Sequence, residues 1–257
     1  MVKGLGKGLK NHRVLLSGIV VILLVAWFGF VPLARSFQNE TRPVHEADWS
    51  YTVNIVGGKI EAVNVDVNFQ SAADVEKYAQ AMRRENLALF GTGVSEVTAV
   101  SIVFNQALSW QEADAFVKQK QIFAGGYDFR FVNKTDPTDR YTYGVGLVRD
   151  GKTGQGFADD KVRADFEANI ANLYRDNLIF KGVIGMQVTL SRSDYLAVVA
   201  DPRVYLVDMP GVIIKAKIAN HAKPGFDGLE TSSDFSIPNN SPQLYRQLED
   251  FGLVKPA

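Results

Sequence analysis

The chain has 257 residues, 28 of them basic and 28 acidic, with three histidines and no cysteine. Such a balance excludes the concentrated basic surface that a nucleic-acid partner requires, and the lack of cysteine excludes disulfides and thiolate chemistry. His12, His45 and His221 stand far apart, with no second histidine or cysteine at ligand spacing, so the sequence proposes no zinc site and no other metal site.

Taken in chain order, the first element is a membrane span. Val14 to Ala34 carries no charge over 21 residues, which as a helix covers about 32 Å, enough for a bilayer core. Trp27, Phe28 and Phe30 lie near its far end, where aromatic rings favour the headgroup level. A cleaved signal peptide should have a shorter apolar region ending in small residues, whereas this one runs into Val31-Pro32-Leu33. Lys3, Lys7, Lys10 and Arg13 precede the span without any acidic neighbour. Basic residues remain cytoplasmic, so residues 1–13 form a cytoplasmic tail, 14–34 a transmembrane helix, and all that follows is extracytoplasmic. The first 35 residues hold 5 basic and no acidic side chains, leaving 23 basic against 28 acidic beyond them.

Residues 35–50 are polar, contain Pro43 and read as a stalk. Residues 51–93 read as a first strand–helix unit, 94–219 as the main domain, and 220–257 as a linker followed by an amphipathic helix. One pattern recurs three times: a β-branched run, a capping serine with an acid three residues on, and a helical apolar stripe. The caps are Ser71 with Asp74, Ser109 with Glu112, and Ser191 with Asp194. GGYDFRFVN and YTYGVGLV read as strands joined by a turn-rich KTDPTDR, and Asp159-Asp160 begins a helix striped by Val162, Phe166, Ile170, Leu173 and Tyr174. VYLVDM and GVIIKAKI read as two further strands broken by Pro210-Gly211. From Val97 onward the order is strand, helix, strand, strand, helix, strand, helix, strand. That order predicts an α+β domain, ferredoxin-like or related, with an antiparallel sheet covered by helices on one face.

Three short stretches spell nucleotide motifs: Asn133-Lys134-Thr135-Asp136, then GLVRDGKT from Gly146, then Asp208-Met209-Pro210-Gly211. Their order resembles that of circularly permuted GTPases. The resemblance implies that Lys152 holds phosphates, that Thr153 and Asp208 serve magnesium, and that Asn133 and Asp136 read guanine. Physical reasons oppose it. Gly154-Gln155-Gly156 follows Thr153 and undoes the helix whose N-terminus should face the phosphate. Nine residues separate Asp136 from Gly146, too few for the missing loop, helix and strand. Leu147 and Val148 continue a strand alternation, so Gly146 reads as a strand residue and RDGKTG as a hairpin turn. All three motifs also lie outside the cytosolic nucleotide pool.

No GxSxG elbow is present, and Asp159-Asp160 reads as a helix cap rather than a calcium ligand pair. No catalytic residue and no cofactor are therefore proposed from sequence. Ser241-Pro242 opens a short helix whose apolar stripe is Leu244, Tyr245, Leu248 and Phe251. That stripe is buried either in the chain's own domain or against a partner, another envelope or membrane protein. The function expected is a single-pass membrane protein displaying a non-catalytic domain for binding, scaffolding or assembly of an envelope complex. TLSRSDYLAVVADPRVYLVD resembles the ferredoxin-like inhibitory propeptides of subtilisin-type proteases over about 20 residues. This implies, as the alternative, a regulatory ectodomain that inhibits a protease or senses a signal.

Overall fold

The structure, a computed structural model, describes residues 39–92, 94, 96–146, 164, 168, 177–219 and 235–256. Strands β1 (Asn39–His45), β2 (Ser50–Val56) and β3 (Lys59–Val65) form an antiparallel meander. In β2 the period-2 alternation buries Tyr51, Val53 and Ile55 and leaves the residues between them partly exposed. Gly57 and Gly58 join β2 to β3 with φ values of 60° and 81°, the left-handed geometry of a two-residue hairpin loop. Strand β1 occupies the segment expected to be a stalk. Its Pro43 is tolerated because β1 is the sheet's edge.

Helix α1 (Ala72–Gly91) follows, capped as expected by Ser71, whose side chain accepts from the amide of Asp74. Next come β4 (Glu96–Leu108), α2 (Trp110–Lys120), β5 (Phe123–Asn133), β6 (Arg140–Gly146), β7 (Leu178–Ser191), α3 (Arg192–Val199) and β8 (Val204–Asp208). These strands form a five-stranded sheet in the order β6-β5-β7-β4-β8, with every neighbouring pair antiparallel. Two strand–helix–strand units interlock in it. In one, β4 and β5 run parallel with β7 between them and α2 connecting; in the other, β7 and β8 run parallel with β4 between them and α3 connecting. Ser109 with Glu112 and Ser191 with Asp194 both form reciprocal capping boxes at the starts of α2 and α3. Trp110, Phe116, Tyr195 and Val198 of these helices pack on Ile102, Phe129, Met186 and other residues of the sheet's first face.

After β8 the chain departs from expectation. GVIIKAKI lies in helix α4 (Pro210–Ala219), not in a strand. Pro210 occupies the first helical turn, where its fixed φ is already suitable and its missing N–H costs nothing. Ile214 and Ile218, four apart, are buried on one face with Ile213. The β preference of three isoleucines is a weak prior that this packing overrides.

Helix α5 (Ser241–Asp250) closes the fold. Leu244, Tyr245 and Leu248 are 1%, 0% and 0% exposed, and Phe251 packs half-buried beside them. Their stripe is thus buried inside the chain itself, in a second core that joins the three-stranded sheet and α1 to Val103, Ile184 and Leu206 of the five-stranded sheet. The division drawn at residues 93/94 therefore crosses a shared core. Of the helix expected over residues 159–174, Ala164 and Ala168 are helical; the rest, like residues 14–34 and the RDGKTG turn, lies outside the described residues. No helix among the described residues is long and apolar enough to cross a membrane.

Candidate functional site: a polar row beneath a cavity

The side chains on the second face of the five-stranded sheet are set by register. Ser101 of β4 is the cross-strand partner of Gln187 on β7 and of Asp208 on β8. Directly opposed residues share a face, so Gln187, Ser101 and Asp208 form a polar row across three adjacent strands. Above this row is a cavity of about 350 Å³, bounded by Val97, Met209 to Val212, Lys215 and the segment Ile237 to Asn240. The size falls within the range of small-molecule sites.

Asp208 is 3% exposed. The Tyr78 hydroxyl on α1 donates to its Oδ1 at 2.8 Å, while Oδ2 accepts no hydrogen bond among the described residues. Burial pushes its carboxyl up to about 7, opposed only by the Tyr78 hydrogen bond. Tyr78 is itself held well above its usual value, first by burial and then by the Asp208 charge. A carboxyl displaced by this much in a concave site marks a functional candidate. The Gln187 amide has no hydrogen-bond partner among the described residues, and Lys215 pairs with no acid among them, its ammonium standing 5.3 Å from the centre of the Phe235 ring.

The rear wall is tied down by a second polar cluster. Asp128 of β5 sits between Gly144 and Gly185 on the flanking strands. A Cβ at Gly144 would approach its Oδ1 to 3.1 Å, and one at Gly185 would approach its Oδ2 to 3.3 Å, so both glycines keep room for the carboxyl. The Asn239 amide donates to both oxygens at 3.4 and 3.3 Å, and the Ser101 hydroxyl donates to Asn239 Oδ1 at 3.1 Å. Ser241 Oγ lies 2.5 Å from Asp128 Oδ2 and 2.7 Å from Asn239 Oδ1. One hydroxyl proton cannot serve both contacts. It goes to one of the two, and burial raises the Asp128 carboxyl against the lowering hydrogen bonds from Ser241 and Asn239.

The segment Phe235 to Asn240 roofs the cavity. Its Ser236 exchanges backbone hydrogen bonds with β3, the Val63 amide donating to Ser236 at 3.0 Å and the Ser236 amide donating to Glu61 at 3.1 Å. Ile237 packs within 3.2 Å of where a Cβ on Gly211 would stand, so glycine there lets the roof meet the start of α4. The far end of α5 is gripped from β5 and β6: Arg130 and Arg140 both bond Glu249, and Arg140 also bonds Asp250.

Of the residues singled out from sequence, Leu244, Tyr245 and Leu248 support this site from within the core and do not line it. Of the nucleotide-like stretches, Asn133 and Asp136 lie at the far end of β5 from the strands that hold Asp208. Asn133 Oδ1 accepts from the amide and hydroxyl of Thr135, and Asp136 Oδ1 accepts from those of Thr138, so both side chains close local turns. Gly146 is a strand residue paired with Gly126; Lys152 and Thr153 lie outside the described residues. Asp208 belongs to the cavity. Sequence reasoning missed Ser101, Gln187 and Asn239. The available signal was a polar residue inside each apolar run, VSIVF and GMQVTL, and an acid closing VYLV. Comparison of the chain with protein-family models, characterised proteins and solved structures gave no match.

Proposed function

We propose that the chain is a single-pass membrane protein whose extracytoplasmic domain binds a small ligand, without chemical turnover, in the cavity above Gln187, Ser101 and Asp208. The two interlocked strand–helix–strand units support a ferredoxin-like framework, with β6 added at one edge and the second sheet face covered by α1, α4, α5 and the three-stranded sheet. The observation that carries the reading is Asp208 Oδ2, which accepts no hydrogen bond among the described residues, on the floor of a partly open cavity with polar and apolar lining. A carboxyl this sheltered from bulk water has few donors available, and a ligand that supplies one satisfies it. Membrane attachment rests on residues 14–34, and a sensing or scaffolding role follows from placing such a cavity outside the cell.

The test uses the full-length chain in detergent with methyl-labelled methionine. Met209, packed in the first core, also borders the cavity, while Met82 and Met186, in the two cores, do not line it and serve as controls. A library of small polar and amphipathic fragments should yield compounds that shift the Met209 methyl signal alone. A library that leaves Met209 unmoved throughout overturns the ligand-binding reading.

A further inference from the structure

We infer that the cavity takes a zwitterion of the amino-acid or dipeptide class, its ammonium on Asp208 and its carboxylate toward Lys215. The inference rests on the ligand-binding reading above and names the chemistry of that site. Among the described residues, the two charged side chains that line the cavity are Asp208 on the floor and Lys215 at the rim. Neither has an ionic partner among the described residues, whereas the buried Arg130 and the partly buried Arg140 and Lys217 pair with Glu249, Glu46 and Glu85. A neutral ligand leaves both unmatched, and a singly charged ligand leaves one. A molecule bearing both charges matches both.

Hydrogen-bonding capacity agrees. An ammonium has three donors and no acceptor. Asp208 Oδ2 is a free acceptor, the Gln187 amide carbonyl is another, and Ser101 Oγ keeps its lone pairs because its proton goes to Asn239. Those three residues are consecutive partners across the sheet, so the acceptors converge on one side of the cavity floor. The cavity is also lined by Lys215 and the first turn of α4, from Pro210 to Val212, where the positive end of the helix dipole favours an anion. Between them Val97, Met209, Ile237 and Pro238 supply apolar surface, which suits aliphatic side chains.

The groups facing Asp208 make its proton part of the equilibrium. They are Tyr78 from α1, Lys215 from α4, Ser101 and Gln187 from the neighbouring strands, and Asp128 beyond Asn239. With the carboxyl lifted to about 7 by burial, only the ionised fraction is competent to hold an ammonium. Affinity for a zwitterion therefore rises as pH increases toward 7 and levels above it.

Leucyl-leucine, its N-acetyl derivative and its C-terminal amide are titrated into the full-length chain, with glucose as an uncharged control and the Met209 methyl signal as readout. Leucyl-leucine should bind, and each capped form should bind at least about tenfold more weakly, the cost of one lost ionic contact. Lys215→Gln, an exposed change, should weaken leucyl-leucine and the N-acetyl form while leaving the amide's affinity unchanged. Asp208→Asn should weaken leucyl-leucine and abolish its loss of affinity, about fivefold, between pH 7 and pH 6. Equal binding of capped and uncapped forms, or a Met209 response only to glucose or to fragments of other classes, overturns the zwitterion while leaving the cavity a ligand site. Silence to leucyl-leucine overturns it as well, and the fragment library then decides the cavity separately.

Discussion

Asp208 shows how one side chain can weaken the fold and equip the site. Its carboxyl titrates near 7 in the folded protein, against an ordinary 3.8. Between these values the folded protein holds a proton that the unfolded chain releases. The contribution of Asp208 to stability is therefore most favourable below about pH 4, declines as pH rises to about 7 and is level above. Asp208→Asn keeps the shape and removes the titration. Urea unfolding at pH 8 should show the variant more stable than the parent by a few kcal/mol, with the difference shrinking at pH 4. Asp128, also raised, leaves a smaller slope of the same sign in both proteins. A difference that grows toward low pH would mean that Asp208 is ionised and satisfied in the fold, contrary to its geometry. Such a side chain, stabilised by its own removal, is what a site kept for binding looks like.

Among the elements, α5 has the most unusual supports. Ser241 at its start meets the Asp128 carboxyl, and the acids at its end meet Arg130 and Arg140. Glu249 and Asp250 at the other end, unfavourable alone beside the helix C-terminus, are neutralised by the two arginines. Arg130 is 1% exposed. Glu249→Gln leaves it buried without its counter-ion and should cost about 3 kcal/mol or more in denaturant unfolding. Pairing Arg130→Met with Glu249→Leu should recover most of that loss; no recovery would locate the cost outside the ion pair. Removal of residues 241–257 should abolish cooperative unfolding altogether, since Leu244, Tyr245 and Leu248 contribute about 2 kcal/mol each and their departure uncovers Val103, Ile184 and Leu206. A truncated chain that still melts sharply would show that α5 is an accessory.

These elements also mark what was legible in the sequence. The capping serines were readable because a cap is a local bargain between residues three apart. The sheet's alternation was readable for the same reason, since period 2 is a property of a few consecutive residues. Helix α4 was misread because its three isoleucines favour a strand locally, and only their packing against distant residues selects the helix. The stripe on α5 announced burial but not its destination. The floor of the cavity was illegible because Gln187, Ser101 and Asp208 meet through strand order, and no stretch of chain contains all three. What the sequence offered instead was Asp208 inside a nucleotide-like tetrapeptide, right in its residue and unsupported in its chemistry.

For the molecule as a whole, the two sheets, the five helices and the shared second core join the described residues between Asn39 and Pro256. Its proposed attachment follows from the uncharged stretch 14–34 with lysines on one side. A phosphatase reporter fused after Ala257, active only outside the cytosol, should be active in intact cells; activity confined to a cytosolic reporter would reverse the orientation and move the cavity to the cell interior. Because the covering layer is drawn from both ends of the domain, a change at one end should be felt at the other. Hydrogen-exchange protection of β3 should fall in the Glu249→Gln variant, whereas independent units would leave β3 untouched.

The bridge from Ser236 to β3 has a consequence for how the protein comes into being. The first sheet is completed by Ser236, far along the chain, and α5, laid over the central sheet, comes after it. A ribosome working from the amino end releases β1 to β3 well before the residues that cover the second core. Ordering must then join distant parts of the chain, a slow kind of folding. Slowness of that sort would suit the proposed attachment, since an exported polypeptide has to stay threadable until it has crossed.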